Sequence, residues 1–411
     1  ENNIANADIT ASGAISGVTT LTLASVGGTA TFAGDVDVTT LSVDNTVANV
    51  ALDGDGSSVT NAVSFANDGT LVLGNATSDT LTFNGGLTTT SVGGTVTLEG
   101  TIDTSNDAIV LGAVTLGSNT LIDTNASDTT GDITIGAVTG GSNSLTLSMG
   151  NNVANTDISA SGAISGVTTL TLQNVGGTAT LSGDVDVTTL TVDNTVANVA
   201  FTGNGSSVTN AFTPANDGTF VFGSSGGTQT FGGGLTTTSV GGTVTLNGTI
   251  ASSDDAIVLG AVTLGSNTTV DTNSTTTNRA DITIAAVTGG NNTLTLSTAN
   301  VSNADITASG AISGVTTLEI SDIGGTATLS GDVDVTTFDT NTINNLVFSG
   351  NGSSVTNALS FNNVGSLTLG TSGGTQTFNG GLNTTGADDT VTLNGTIVSS
   401  DDAIVLGAVT L

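Results

Sequence analysis

The chain repeats itself with a period close to 148 residues, and this constrains its fold more than any other feature. Gly-Asp-Val-Asp-Val-Thr-Thr begins at Gly34, Gly183 and Gly331, spacings of 149 and 148. Asp-Ala-Ile-Val-Leu-Gly-Ala-Val-Thr-Leu begins at Asp107, Asp255 and Asp402, spacings of 148 and 147. Ala-Ser-Gly-Ala-Ile-Ser-Gly-Val-Thr-Thr-Leu begins at Ala11, Ala160 and Ala308, again 149 and 148 apart. The chain therefore divides into three copies, 1–149, 150–297 and an incomplete 298–411. A unit this long exceeds any common single solenoid turn, so it must contain smaller turns.

Those smaller turns are visible as apolar-Thr-apolar triplets. They occur at Leu21-Thr22-Leu23, Ala30-Thr31-Phe32, Leu81-Thr82-Phe83, Val96-Thr97-Leu98, Ile133-Thr134-Ile135 and Leu145-Thr146-Leu147. Each reads as a short period-2 strand with two side chains pointing inward, closed by Gly, Asn, Asp or Ser. Val, Thr, Ser, Asn, Asp and Gly are poor helix formers, and no 3.6-residue apolar stripe is present. Gly-Gly pairs at Gly27-Gly28, Gly85-Gly86 and Gly93-Gly94 are expected to form tight corners with positive φ. These corners recur too often for sandwich domains. The fold expected is all-β: a right-handed parallel β-helix, or β-solenoid, of roughly 17 to 20 coils with about 20 to 25 residues each. No Pro-rich or charged linker separates the copies, so one continuous solenoid over 1–411 is expected. Phe83, Phe231 and Phe378 occupy equivalent Thr-Phe-Gly/Asn-Gly-Gly contexts and read as core fillers.

Composition narrows the chemistry. The 411 residues include no Cys, His, Trp or Tyr, one Pro, one Met and one cation, Arg279. A His base, a thiolate, a Lys Schiff base, a His/Cys metal cage and an Arg phosphate clamp are all excluded. Opposite that Arg stand 34 Asp plus Glu, a formal charge of -33, with Glu1, Glu99 and Glu319 the glutamates. Such a surface repels nucleic acid and anionic lipid, and attracts cations weakly. No apolar run approaches the roughly 20 residues of a membrane span, and the opening Glu1-Asn2-Asn3, with no basic start and no apolar block, is not expected to be a signal peptide. One trypsin-type site, after Arg279, suits a life among extracellular proteases.

Several motifs invite chemical readings. Asp35/Asp37 recur as Asp184/Asp186 and Asp332/Asp334. On a strand, i and i+2 share a face, so paired carboxylates could hold Ca²⁺ or hydrolyse a glycoside. The favoured reading is a solvated outer face, with Val36 and Val38 filling the core, because a required site is needed once and not three times. Asp53-Gly54-Asp55-Gly56 resembles a Ca²⁺ loop, yet its copies read Thr202-Gly203-Asn204-Gly205 and Ser349-Gly350-Asn351-Gly352, so a turn is expected. Asn61, Asn210 and Asn357 follow Ser-Ser-Val-Thr and are expected in buried Asn stacks that satisfy corner backbone groups. Asn75, Asn204, Asn267 and Asn351 lie in Asn-x-Ser/Thr sites open to glycosylation. Runs such as Thr88-Thr89-Thr90 raise an ice-binding surface, though the Thr residues are too scattered to favour one. No residue is assigned a catalytic, cofactor or metal role, and the chain is not expected to be an enzyme.

Gly-Gly-Thr-Val-Thr-Leu-x-Gly-Thr-Ile, Ala-Ile-Val-Leu-Gly-Ala-Val-Thr-Leu-Gly-Ser-Asn-Thr and Gly-Asp-Ile-Thr-Ile-Gly-Ala-Val resemble the β-strand repeats of very large bacterial surface proteins, such as filamentous-haemagglutinin-like adhesins. The resemblance covers essentially the whole chain. It implies export, a parallel β-helix, and adhesion or fibre formation outside the cell or on its surface. A structural filament, sheath or stalk is the leading expectation, and an adhesin segment binding a cell-surface or glycan ligand the alternative. Neither terminus carries a cap, so head-to-tail self-association or continuation in a longer chain is expected.

With 34 acids against one Arg, screening should stabilise the fold. The thermal midpoint should climb as NaCl or CaCl₂ is added, and a midpoint indifferent to both would contradict an exposed acidic surface.

Overall fold

A computed structural model describes residues 6–273 and 280–411, so Arg279 and its cleavage site lie outside the described residues. Strands pair in parallel with partners about one coil away, and the described residues contain no helix. The fold is a parallel β-solenoid of about 19 turns. Its chain forms two compact units: Glu1–Thr202 with Asn216–Gly218, and Gly203–Ala215 with Thr219–Leu411.

The reason for strands here is local. Each triplet puts two apolar side chains inside and one polar side chain outside, as in Val96–Asp103, whose residues alternate buried and half-buried along its whole length. Parallel pairing then stacks like on like. Val96 sits over Leu71 and under Val114, and Leu98 over Leu73 and under Leu116.

In the first unit three strand columns run side by side. One joins Ile9–Ala11, Val26–Phe32, Val47–Leu52, Leu71–Leu73, Val96–Asp103, Val114–Asp123, Val138–Thr139 and Ile164–Gln173. A second, which includes Ile15 over Val36, carries Ser16, Asp37, Ser58, Thr82, Asp103, Asp123 and Ser148 in succession. The third stacks Leu87, Ile109, Ile133, Ile158 and Ala179. Stacking passes the copy boundary at 149/150 without a break, through Leu147↔Leu172. Ile9 stands in the first column, but its equivalent Ile158 stands in the third. Ile15 stands in the second, and its equivalent Ile164 in the first. One copy therefore spans six full coils and two thirds of a seventh.

The second unit repeats this independently. Phe220, Val244, Val262, Val287, Ile312 and Val333 form one column. Leu367, the equivalent of Phe220, belongs to a different column with Leu346, Ala327, Ile306, Ile282 and Ile257. Stacking also continues through 297/298, for Ile282 lies against Ile306.

The core is a ladder of Val, Ile, Leu and Phe. Phe83, Phe231 and Phe378 are buried as expected, each at most 1% exposed. Phe212, Phe220, Phe222 and Phe231 form one ring cluster, with Phe220 and Phe222 stacked at 4.0 Å. At the positions of Phe212, Pro214, Phe220 and Phe222 the first copy has Val63, Phe65, Leu71 and Leu73. Three enlargements are thus accompanied by one reduction, which keeps lumen volume closer to constant.

The paired glycines behave differently from the corner expectation. Of the six named, only Gly86 has a positive φ, at 100°. Gly93 is required for another reason: a Cβ there would lie 2.2 Å from the Asp68 carbonyl oxygen on the preceding coil. Most of these glycines permit backbones of adjacent coils to approach, and do not turn the chain.

Phe222→Ala should destabilise by about 3 to 5 kcal/mol in urea titration, whereas Asp37→Asn should change stability by no more than about 0.5 kcal/mol. Equal effects would reverse the assigned facing.

Candidate functional site

The Asp35/Asp37 motif does not bring two carboxylates together. Asp37 is exposed between buried Val36 and Val38, on the solvated face expected for it. Asp35 precedes the strand and accepts the Gly56 N–H of the next coil at 2.9 Å; Asp332 does the same for Gly352 at 2.7 Å. This first carboxylate is a corner cap, which explains its recurrence. Asp184 and Asp186 occupy the corresponding positions ahead of and within Val185–Val192. Asp55-Gly56 forms the expected turn.

The expectation for Asn61, Asn210 and Asn357 is overturned: all three are exposed. Asn61 donates to the Thr40 hydroxyl at 2.9 Å, and Asn357 to Thr337 at the same distance, both on the preceding coil. They sit just after the short strands Ser58–Val59 and Ser354–Val355, where the chain has already left the core wall. The buried asparagines are Asn67 and Asn216. Asn67 donates to the carbonyls of Gly69 and Thr70 at 3.1 and 2.8 Å, and Asn216 to those of Gly218 and Ala197 at 3.1 and 3.2 Å. Their signal was Ala-Asn-Asp-Gly at 66–69 and 215–218, an Asn between apolar strands.

Thr88-Thr89-Thr90 is not an outward ladder, since Thr89 is 2% exposed and its hydroxyl accepts the Gly112 N–H at 3.3 Å. Asn75, Asn204, Asn267 and Asn351 are all exposed. Gln229 and Gln376 are buried where the first copy has Leu81, and donate to the carbonyls of Gly203 and Phe348 at 3.1 and 2.7 Å. The Leu-to-Gln exchange inside Thr-x-Thr-Phe marked them in the sequence.

Half-buried carboxyls also stack along the strands. Asp103 pairs with Asp123 on the next coil, and Asp123 with Ser148 beyond it. Burial pushes Asp103 above the ordinary carboxylate range, with the charge of Asp123 adding to it against hydrogen bonds from Thr82 and Asn125. Burial likewise raises Asp123, against the Asn125 N–H and Ser148. It raises Asp271, the equivalent of Asp123 in the second copy, opposed by Asn273 and Ser297 and aided by the charge of Asp322. Burial and the charge of Asp79 raise Asp53, while burial and then Asp79 and Asp53 raise Glu99. Thr46 holds Asp44 low, and Thr130 with Asn106 holds Asp128 low.

One uncharged groove recurs. In the first copy it measures about 190 Å³ and includes Gly100, Thr101, Asn119 and Thr146. In the second it measures about 420 Å³ and includes the equivalents Gly248, Thr249, Asn267 and Thr295. Hydroxyls and amides line both, which suits a neutral polar ligand better than a charged one. Among the described residues, no group of three or more acidic side chains is arranged to hold a metal ion. No helix among them is long and apolar enough to cross a membrane. No protein-family model, curated protein or solved structure matches the chain.

The raised carboxyls set a pH dependence. Their folded-state values exceed the unfolded ones, so the native state binds more protons and stability rises as pH falls. The gain begins above the ordinary carboxylate range and is complete near about pH 4. Asp44 and Asp128 act in the opposite sense only at the acid end. Calorimetry should show the thermal midpoint increasing from pH 7 to about pH 4.5, and a midpoint that falls over this window would contradict the buried positions of Asp103, Asp123 and Asp271.

Proposed function

We propose that the chain is a structural segment of an extracellular filament, sheath or surface fibre, of the kind built by filamentous-haemagglutinin-like and related β-solenoid proteins. The observation that carries this reading is sameness. Each unit stacks parallel coils without interruption through a copy boundary, at Leu147↔Leu172 in one and Ile282↔Ile306 in the other. A stalk needs repetition, whereas a binding tip needs a departure from it. Further coils or further copies of the same chain, meeting head to tail, are the partners in this reading, with divalent cations bound weakly over the acidic surface. A side-chain inventory without His, Cys or Lys fits a scaffold and no catalytic role.

The recurring hydroxyl-lined groove favours a second reading, an adhesin segment whose ligand is a neutral glycan. Negative-stain images of native material, together with light scattering of the purified chain, separate the two. Fibres or end-to-end assemblies are expected. Discrete monomers at high concentration that bind neutral glycans on an array would replace the filament by the adhesin.

A further inference from the structure

We propose that the first copy carries a proton-operated clasp, formed by Asp53, Asp79 and Glu99, that the other two copies lack. Strand register places these residues together. Leu52 lies over Leu73 and Leu73 over Leu98, so Asp53, Gly74 and Glu99 take the next register position on three successive coils, the first two just past their strands and Glu99 at the irregularity within Val96–Asp103. Gly74 contributes no side chain between the two carboxylates.

Asp79 enters from the loop that follows Gly74. It is 1% exposed, and its Oδ2 accepts the N–H groups of Asn75 and Ala76 at 2.7 and 3.0 Å. Its Oδ1 is buried with no hydrogen-bond partner. A buried acceptor without a donor is destabilising, more so in a carboxylate beside two others. Asp55 is a fourth acid nearby, its carbonyl accepting the Thr80 N–H at 2.8 Å. From the remaining packed element, Val114–Asp123, the facing group is the Ser118 hydroxyl, bonded to the Gly100 N–H at 3.2 Å. No basic side chain among the described residues offsets these charges, and no metal-binding arrangement does so either.

The three acids also leave together. At the positions of Asp53, Asp79 and Glu99 the second copy has Thr202, Gly227 and Asn247, and the third has Ser349, Gly374 and Asn394. In the second copy Asn247 donates to the Phe222 carbonyl at 3.1 Å, a neutral bond in place of a charge. Three acids, one past a strand, one within a strand and one in a loop, that are present as a set or absent as a set form one device. A proton taken up by Asp53 or Glu99, the two carboxyls that burial and neighbouring charge raise, removes one of the charges set against the buried, unpartnered Asp79 oxygen. Above that protonation the stretch 71–101 is the weak part of the first copy; below it the coils close.

Hydrogen exchange read by mass spectrometry tests this on the whole chain, comparing 71–101 with its equivalent 220–249 at pH 7 and about pH 5 after correction for intrinsic exchange. Protection of 71–101 should rise several-fold on acidification, while 220–249 changes little. Asp79→Asn keeps the oxygen that caps Asn75 and Ala76 and replaces the orphan by a donor. It should hold 71–101 at neutral pH as firmly as acid holds the unaltered chain, and flatten the response. Glu99→Asn, the residue native to the second copy, should weaken the response without loss of fold. Equal pH responses in the two stretches, or an unchanged response in both variants, would overturn the clasp.

Discussion

Inter-coil hydrogen bonding in parallel register is the constraint on which the structure depends, because no coil of this chain can bury its own inward side chains alone. A triplet such as Val96-Thr97-Leu98 exposes its polar edge above and below, and only the next coil supplies both the missing backbone partners and the missing apolar surface. Stability is therefore a sum of neighbour terms. Anything that spaces two coils apart acts locally, which is why small residues such as Gly93 occupy the points of closest backbone approach.

The same spacing governs the polar groups. Stacked carboxylates like Asp103 and Asp123 are held about 4.8 Å apart by strand pairing whether or not their charges favour it. Corner caps such as Asp35 exploit that spacing, since a carboxylate one coil below reaches an N–H one coil above. The chain thus uses acids in two ways, as exposed caps for a waiting N–H and as half-buried stacked neighbours whose donors only partly offset their burial.

The fold was legible in the residues because period-2 triplets and a long exact repeat leave few alternatives, and the lumen positions of Phe83, Phe231 and Phe378 followed from their contexts. Facing at strand ends was not legible. Asn61 and Asn67 stand six residues apart in similar polar surroundings, yet the first is exposed and the second fully buried, since that depends on where the chain leaves the wall of the coil. The carboxylate system was hidden for a related reason: Asp53, Asp79 and Glu99 are distant in sequence and meet only once coil lengths are known. Their joint replacement in the other copies was the one trace of it.

Because a copy holds a fractional number of coils, duplicated residues do not line up along one side. Ile9 and Ile158, identical in context, belong to different columns of the same unit. The sequence period and the structural period are out of phase by a third of a turn, as in a screw thread whose marks fall at a new azimuth on each pass. Within either unit, a flat partner laid along one column would meet a residue and its duplicate on different sides and never in line. A feature spread by duplication is instead turned by a third of a circumference between one copy and the next inside a unit.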